Sequence, residues 1–353
     1  MIRVSKGTGP NRTVINKVFR GRLADAKTHA RELETMLDSG KVPSSKLTFG
    51  QFADLWLGTI RRQVKPLTYD NYEGNLRRHT VTLKTMRISE VESHHIQTIY
   101  NSLTPSVAAH LHATLRPMFK AAVRQRVVRS NPCEHTERPT YRRQREIPVF
   151  TRDELRRFIA ICQQIDGGLI AEFAVETGMR PEEYLALRWT DIIGGDAIVS
   201  QIVQYNRSGG GFYFETPKTK SSRRRVPMSA SLVERLRRHR IEQGKHRLAL
   251  RVTWNDHGLV FPNAVGNPQT IPNLSQRTMS RIFAAFAFRS RLVPYDLRHI
   301  CATTMLMEGV HIKVVSERLG HASIKITLDT YSHVIPTMQT EAVTAMDRAM
   351  RGV

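Results

Sequence analysis

Apolar residues recur along most of this chain with the three-and-four spacing of helices buried on one face. Phe49, Phe52, Ala53 and Trp56 stand at i, i+3, i+4 and i+7, which predicts an amphipathic helix starting near Leu47. A second helix is predicted from about Thr68, with further helical runs over 93–103 and 106–123 parted by the turn Thr104-Pro105. Ahead of this block, residues 1–46 alternate as short strands do, with Val14, Ile15, Val18 and Phe19 among basic residues. A helix-like run over 23–37 follows and ends at Gly40. Residues 41–45 read as a linker.

Past a proline-bounded stretch near 138–147, Thr151-Arg152-Asp153-Glu154 has the form of a capping box, and a second, mainly helical region begins. Leu169, Ile170, Phe173 and Ala174 mark a helix that Gly178 can end, and Pro181 suits the first position of the next. Strands are predicted over 197–204 and 211–215 around a turn at 206–210, with a third starting at Arg225. Asp296 is the predicted cap of a helix whose Leu297, Cys301, Thr304 and Met305 face inward, ending at Gly309. Ile312, Val315 and Leu319 mark another, ended by Gly320, and a last run over 338–350 carries Ala342, Val343, Met346 and Ala349. That last helix can dock on a neighbouring molecule or pack on its own chain. The fold class expected is α+β, mainly α with small β-sheets, and multidomain. The expected parts are a strand-and-helix module at 1–46, a helical domain at 47–137, an extended basic linker at 138–147 and a mixed domain at 148–353.

Charge changes this picture from a generic helical protein to a partner-specific one. The 353 residues hold 54 Lys plus Arg against 31 Asp plus Glu, a net charge of +23. The excess is spread out, with 26 basic and 12 acidic residues before Ile147 and 28 and 19 from there on. A polyanion is the partner such a surface fits, because each phosphate neutralised releases counterions. No run of about 18 apolar residues exists, so a membrane partner is not expected. The N-terminus lacks the apolar core of a secretory signal, so a cytoplasmic location is expected. Cys133, Cys162 and Cys301 lack CxxC spacing, which argues against a disulfide framework or a zinc site.

The candidate chemistry is concentrated between Tyr295 and Tyr331. Tyr295-Asp296-Leu297-Arg298-His299 is followed by Leu319-Gly320-His321 and then by Leu328-Asp329-Thr330-Tyr331. An Arg is a bidentate phosphate clamp, a His near neutrality is a hydrogen-bond donor, and a Tyr hydroxyl can form an ester with phosphorus. That chemistry needs no metal and no cofactor. Each residue also has a plain reading: tyrosines mostly pack, and a His just past a helix C-terminus often answers the dipole. Arg180, at a helix junction, can pair with Glu182 or Glu183 or point at phosphate. Lys218 and Lys220 stand on a short loop between strands, where either a solvated lysine or one entering a groove fits. Tyr295 and Arg298, three apart, can meet on one side of their helix, whereas His299 is expected to face a different way.

TGMRPEE, PKTK, YDLRH, LGH and DTY, in that order, resemble the tyrosine recombinases, specifically the integrases of temperate phages and integrative elements. The resemblance is strong over about 148–340, weaker over the helical domain, and architectural alone for 1–46. It implies a site-specific DNA recombinase in which Tyr331 attacks the scissile phosphate to give a 3′-phosphotyrosyl enzyme and a free 5′-hydroxyl. It further implies that Arg180 and Arg298 hold the non-bridging oxygens, that His321 adds a hydrogen bond, and that Lys218, with Lys220 the alternative, protonates the leaving oxygen. Where the family usually has a His three residues before the second Arg, this chain has Tyr295, to which a hydrogen-bonding role is assigned. The implied partners are double-stranded DNA attachment sites, a homotetramer on DNA, an excisionase and a DNA-bending host protein. Two other readings stand beside it: a type IB topoisomerase with a similar site, and a DNA-binding regulator without catalysis.

Overall fold

The computed structural model describes residues 2–6, 13–17, 47–140, 146–205, 211–217, 220–289, 292–332 and 337–351. The helix expected over 23–37, the linker at 41–45 and the turn at 206–210 lie outside them. The chain divides into two units, Met1–Gln144 and Arg145–Val353.

In the first unit β1 (Ile2–Lys6) and β2 (Thr13–Lys17) pair antiparallel, with Ile2 opposite Lys17 and Lys6 opposite Thr13. Helix α1 (Phe49–Ile60) starts at Thr48, whose hydroxyl accepts the Gln51 N–H while the Gln51 side chain accepts the Thr48 N–H. Two prolines set the next starts, because a fixed φ and a missing N–H cost nothing in a first turn. Thus α2 (Pro66–His79) begins two residues before Thr68, and after α3 (Ser93–Asn101) Pro105 opens α4 (Pro105–Arg124). Phe49, Phe52, Ala53 and Trp56 are all buried, packed in one core with Leu111, Leu115, Met118 and Phe119.

The second unit begins with the capping box at Thr151 and Glu154, which opens α5 (Arg152–Gln164). Helix α6 (Leu169–Thr177) ends at Gly178, whose φ of +63° a side chain would resist, and α7 (Pro181–Tyr184) follows at once. Strands β3 (Ile192–Ile193), β4 (Asp196–Ile198), β5 (Ile202–Tyr205), β6 (Phe212–Glu215) and β7 (Arg225–Pro227) come next. They form two antiparallel sheets, β3-β4-β7 and β5-β6, so the single strand expected over 197–204 is in fact two. The Val199 N–H still bonds to the Arg224 carbonyl at the end of the first sheet. Beyond it the Gln201 amide donates to Ala186 O at 2.7 Å, and the chain passes to a different pairing partner.

Helix α8 (Ala230–Leu250) leads to α9 (Ile271–Leu274), a π turn at Ser275–Met279 and α10 (Ser280–Phe286). Then come α11 (Asp296–Met307), α12 (Ile312–Leu319), α13 (Ile324–Tyr331) and α14 (Thr337–Arg351). Asp296 is not the cap of α11, as expected, but its first residue. Tyr295 holds the cap position, and the Asp296 carboxylate accepts the Val293 N–H at 2.7 Å.

Helix α11 packs against α6 through the main core, where Leu297 and Ile300 join Phe173, Tyr184, Val226, Leu232 and Phe286. A smaller core, Ala302, Leu306, Val315, Leu319 and Tyr331, binds the far part of α11 to α12 and α13. The described side chains of α14 are exposed, Val343 at 69% and Met350 at 73% among them. Among the described residues no helix is long and apolar enough to cross a membrane.

Candidate active site

Three helices converge on Gly178. A Cβ at this position would lie 2.8 Å from Leu319 Cδ2 and 3.0 Å from Cys301 Sγ, so α6, α11 and α12 approach as closely as they do only because it is glycine. The Gly178 carbonyl, left free by the end of α6, accepts Arg298 Nη1 at 2.8 Å. Arg298 is 1% exposed, and its Nη2 is buried with no hydrogen-bond partner. Burial, then the nearby Arg180 charge, holds this guanidinium down to about 10, which leaves it charged at neutral pH.

Arg180 is held from its own helix. Its backbone N–H and Nη1 both donate to the Glu183 carboxylate at 2.8 Å, and Nη2 reaches Gly320 O at 3.5 Å. Burial opposes its charge, but the Glu183 carboxylate outweighs burial and raises Arg180 above the usual arginine value. Glu183, 2% exposed, is also gripped by both Nη atoms of Arg224, at 3.1 and 2.9 Å. Arg224 Nε donates to Arg318 O at 2.5 Å and Nη1 to Ser222 O at 3.2 Å, so one side chain ties the end of α12 to the loop before β7. Neither Glu183 nor Arg224 is marked as a site member by the sequence. The i, i+3 spacing of Arg180 and Glu183 was the one available signal, and nothing distinguished Arg224 within Arg223-Arg224-Arg225.

His321 stands just past Gly320, which ends α12 at φ +68°. Its backbone N–H donates to Ser316 O, and Nδ1 shares a 2.7 Å hydrogen bond with the buried Thr327 hydroxyl. Burial, then the charges of Arg298, Arg180, Arg224 and His299, push its imidazole down to about 4. His321 is therefore a neutral hydrogen-bonding group at pH 7.

Tyr331 closes α13 and is 1% exposed, its ring held in the smaller core. Burial raises its hydroxyl above the usual tyrosine value, against the pull of Arg298. That hydroxyl lies 2.9 Å from His299 Nδ1. The His299 ring meets the Tyr331 ring at 5.7 Å and the Tyr295 ring at 5.3 Å, both at 62°. The expectation that His299 faces away is thus incorrect. Tyr295 and His299 are one turn apart, and i, i+4 side chains share a helix face as surely as i, i+3 ones.

Arg180, Arg298, His321, Tyr331 and Tyr295 therefore come together, although 151 positions separate the first from the last in the sequence (331 − 180). Lys218 lies outside the described residues; the flanking Pro217 is buried, and Lys220 opens a short turn at Lys220–Ser222. Among the described residues, the guanidiniums of Arg180, Arg224 and Arg298 act on the carboxyls of Glu182 and Glu183, and burial pushes that of Glu182 upward, toward its neutral form. The surplus is positive, and Arg298 offers an unused donor.

A buried tyrosine hydroxyl beside two anion-seeking arginines suits transfer of a phosphoryl ester, and comparison with known proteins places the chain in a class that performs it. The model of the phage integrase family matches residues 148–338, and that of the phage integrase N-terminal SAM-like domain matches 48–104. The chain belongs to the phage integrase family and is a tyrosine-type site-specific DNA recombinase. It is 30% identical to the tyrosine recombinase XerC-like protein of Caldanaerobacter subterraneus subsp. tengcongensis, over 98% of this chain and 95% of that one. Among solved structures it shares the fold of the Tn1549 transposon integrase in complex with a circular intermediate DNA. The TM-score is 0.66 at 19% identity, covering 83% of this chain and 99% of that one. A lambda integrase tetramer bound to a Holliday junction aligns at TM-score 0.57 and 17% identity, covering 86% and 88%.

Proposed function

We propose that Tyr331 is the nucleophile, attacking the scissile phosphate of an attachment site to leave a 3′-phosphotyrosyl enzyme and a free 5′-hydroxyl. The observation that carries this is the buried Arg298 guanidinium, whose Nη2 makes no hydrogen bond while its charge acts on the Tyr331 hydroxyl. A buried donor without a partner costs on the order of 1–3 kcal/mol, and a non-bridging phosphate oxygen would satisfy it. Arg180 grips a second oxygen with the Nη2 that Glu183 leaves unengaged. His321, neutral and fixed by Thr327, donates a further hydrogen bond from Nε2. Loss of one such donor typically costs roughly 10²-fold in rate. Lys218, or Lys220 beside it, protonates the leaving 5′ oxygen. Energy stored in the phosphotyrosyl ester drives rejoining, so neither ATP nor a cofactor is consumed.

Residues 1–46 serve as an arm-type DNA-binding module, residues 47–137 as a core-binding domain that holds the duplex and 148–353 as the catalytic domain. Strand exchange between two sites calls for four copies on DNA, and the exposed apolar residues of α14, Val343, Met346 and Met350, supply a surface for a neighbouring copy. An excisionase and a DNA-bending host protein set the direction of reaction.

Incubating the protein with nicked duplexes that carry the crossover core from DNA flanking its gene tests the reading. A covalent adduct is expected on a denaturing gel for the wild type and none for Tyr331→Phe. No adduct from the wild type, or an adduct from Tyr331→Phe, overturns the assignment. Joining of two sites, rather than relaxation of one plasmid, separates recombination from topoisomerase action.

A further inference from the structure

The hydroxyl of Tyr331 has its hydrogen bond to His299 Nδ1, at 2.9 Å, and not to Tyr295. Tyr295 instead meets the same imidazole ring-to-edge at 5.3 Å, from the cap position one turn before it. We propose that His299 is a catalytic residue, the general base that takes the proton of Tyr331 during cleavage and returns it during rejoining. This rests on Tyr331 being the nucleophile.

The chemistry balances without another reagent. With its ring proton on Nε2, a neutral His299 accepts the Tyr331 hydroxyl proton at Nδ1 as Oη bonds to phosphorus. The bond from phosphorus to the 5′ oxygen breaks, and that oxygen takes a proton from the loop ammonium. In rejoining the 5′-hydroxyl attacks, its proton goes back to the loop amine, and the imidazolium reprotonates the departing tyrosine oxygen. Tyr331 needs such a base because its ring is packed among Ala302, Leu306, Val315 and Leu319, where a bare phenolate is poorly solvated.

Tyr295 is badly suited to the task, as its hydroxyl is about as weak a base as the one it would deprotonate. Its place is to pack against the imidazole and keep Nδ1 on the nucleophile. Among the described residues, Arg298 adjoins His299 on the same helix, Tyr331 reaches it from α13 and His321 lies near it after α12, while Arg180 bears on Arg298 and His321. Two fixed positive charges close by would favour return of the proton once the phosphate is esterified.

The test is the single-turnover rate of adduct formation on the nicked core duplex. His299→Asn keeps an acceptor near the Nδ1 position without its basicity, so it preserves the contact and removes the proton transfer. Gel-shift affinity and melting temperature should stay at wild-type levels while the rate falls by roughly 10²-fold or more, the usual worth of a general base. Tyr295→Phe should lose less than about 10-fold, as a group outside the proton transfer. Placing a more acidic fluorinated tyrosine at 331 should recover much of the His299→Asn loss, which a purely structural defect would not allow. The proposal is overturned if His299→Asn cleaves at nearly the wild-type rate, if Tyr295→Phe is the more damaging change, or if the fluorinated tyrosine recovers nothing. Should Tyr331→Phe still form the adduct, the nucleophile itself is misassigned; a normal Tyr331→Phe result with an active His299→Asn removes only the base.

Discussion

Glu183 is where a single substitution should most disturb the second unit. Its carboxylate, 2% exposed, accepts the Arg180 backbone N–H, Arg180 Nη1 and both Nη atoms of Arg224, all between 2.8 and 3.1 Å. Glu183→Gln keeps the shape but leaves two largely buried guanidiniums facing a neutral amide. Breaking a buried pair from one side costs about 3–5 kcal/mol. In a unit of this size each kcal/mol lowers the melting temperature by roughly 2–4 °C, so a drop on the order of 10 °C is expected.

The same site predicts a pH signature. Burial alone would raise the Glu183 carboxyl, but hydrogen bonds from Arg224 and the charges of Arg224 and Arg180 overcome it and hold the group below its usual 4.5. A carboxyl lowered in the folded state contributes stability above the unfolded value and loses it as pH falls through the folded one. Calorimetry of the full chain should therefore show a gap between wild type and Glu183→Gln that is full at pH 6–8 and narrows as pH drops below about 4.5. A variant melting within about 2 °C of wild type at pH 7, or a gap that survives acidification unchanged, would refute the reasoning.

Three further outcomes are expected. Gly178→Ala should destabilise by at least about 1–2 kcal/mol, read by denaturant unfolding, because φ is +63° and the new methyl meets Leu319 and Cys301. A histidine lowered in the folded state makes stability decline as pH falls from 6.5, its unfolded value, toward about 4; a labelled His321 imidazole should accordingly show no titration by NMR between pH 8 and 5. Cys162 and Cys301 are buried thiols pushed up to about 12 and about 11, so native protein should resist alkylation at pH 8, and unfolded protein should react at all three cysteines.

The helices of the first unit could be read from their apolar spacing, and capping chemistry marked the starts at Thr151 and Pro181 and the stops at Gly178 and Gly320, because those signals act within one turn of chain. Motif order likewise singled out Arg180, Arg298, His321 and Tyr331. The division of the 197–204 run between two sheets was not readable, since either pairing satisfies the alternation of β-branched residues and only the distant partner strands β6 and β7 choose between them.

Asp296 shows the same limit on a smaller scale: an aspartate at a helix start has two nearby N–H groups to choose from, and the path of residues 293–295 decides which it takes. For the site, chain-local information supplied the chemical groups but not their pairing. Which distant guanidinium joins Arg180 on Glu183, which carbonyl fixes Arg298 and which imidazole meets the Tyr331 hydroxyl depend on the packing of helices around Gly178. Hydrogen bonds between residues 32 to 140 positions apart are set by that packing, and no periodicity along the chain records it.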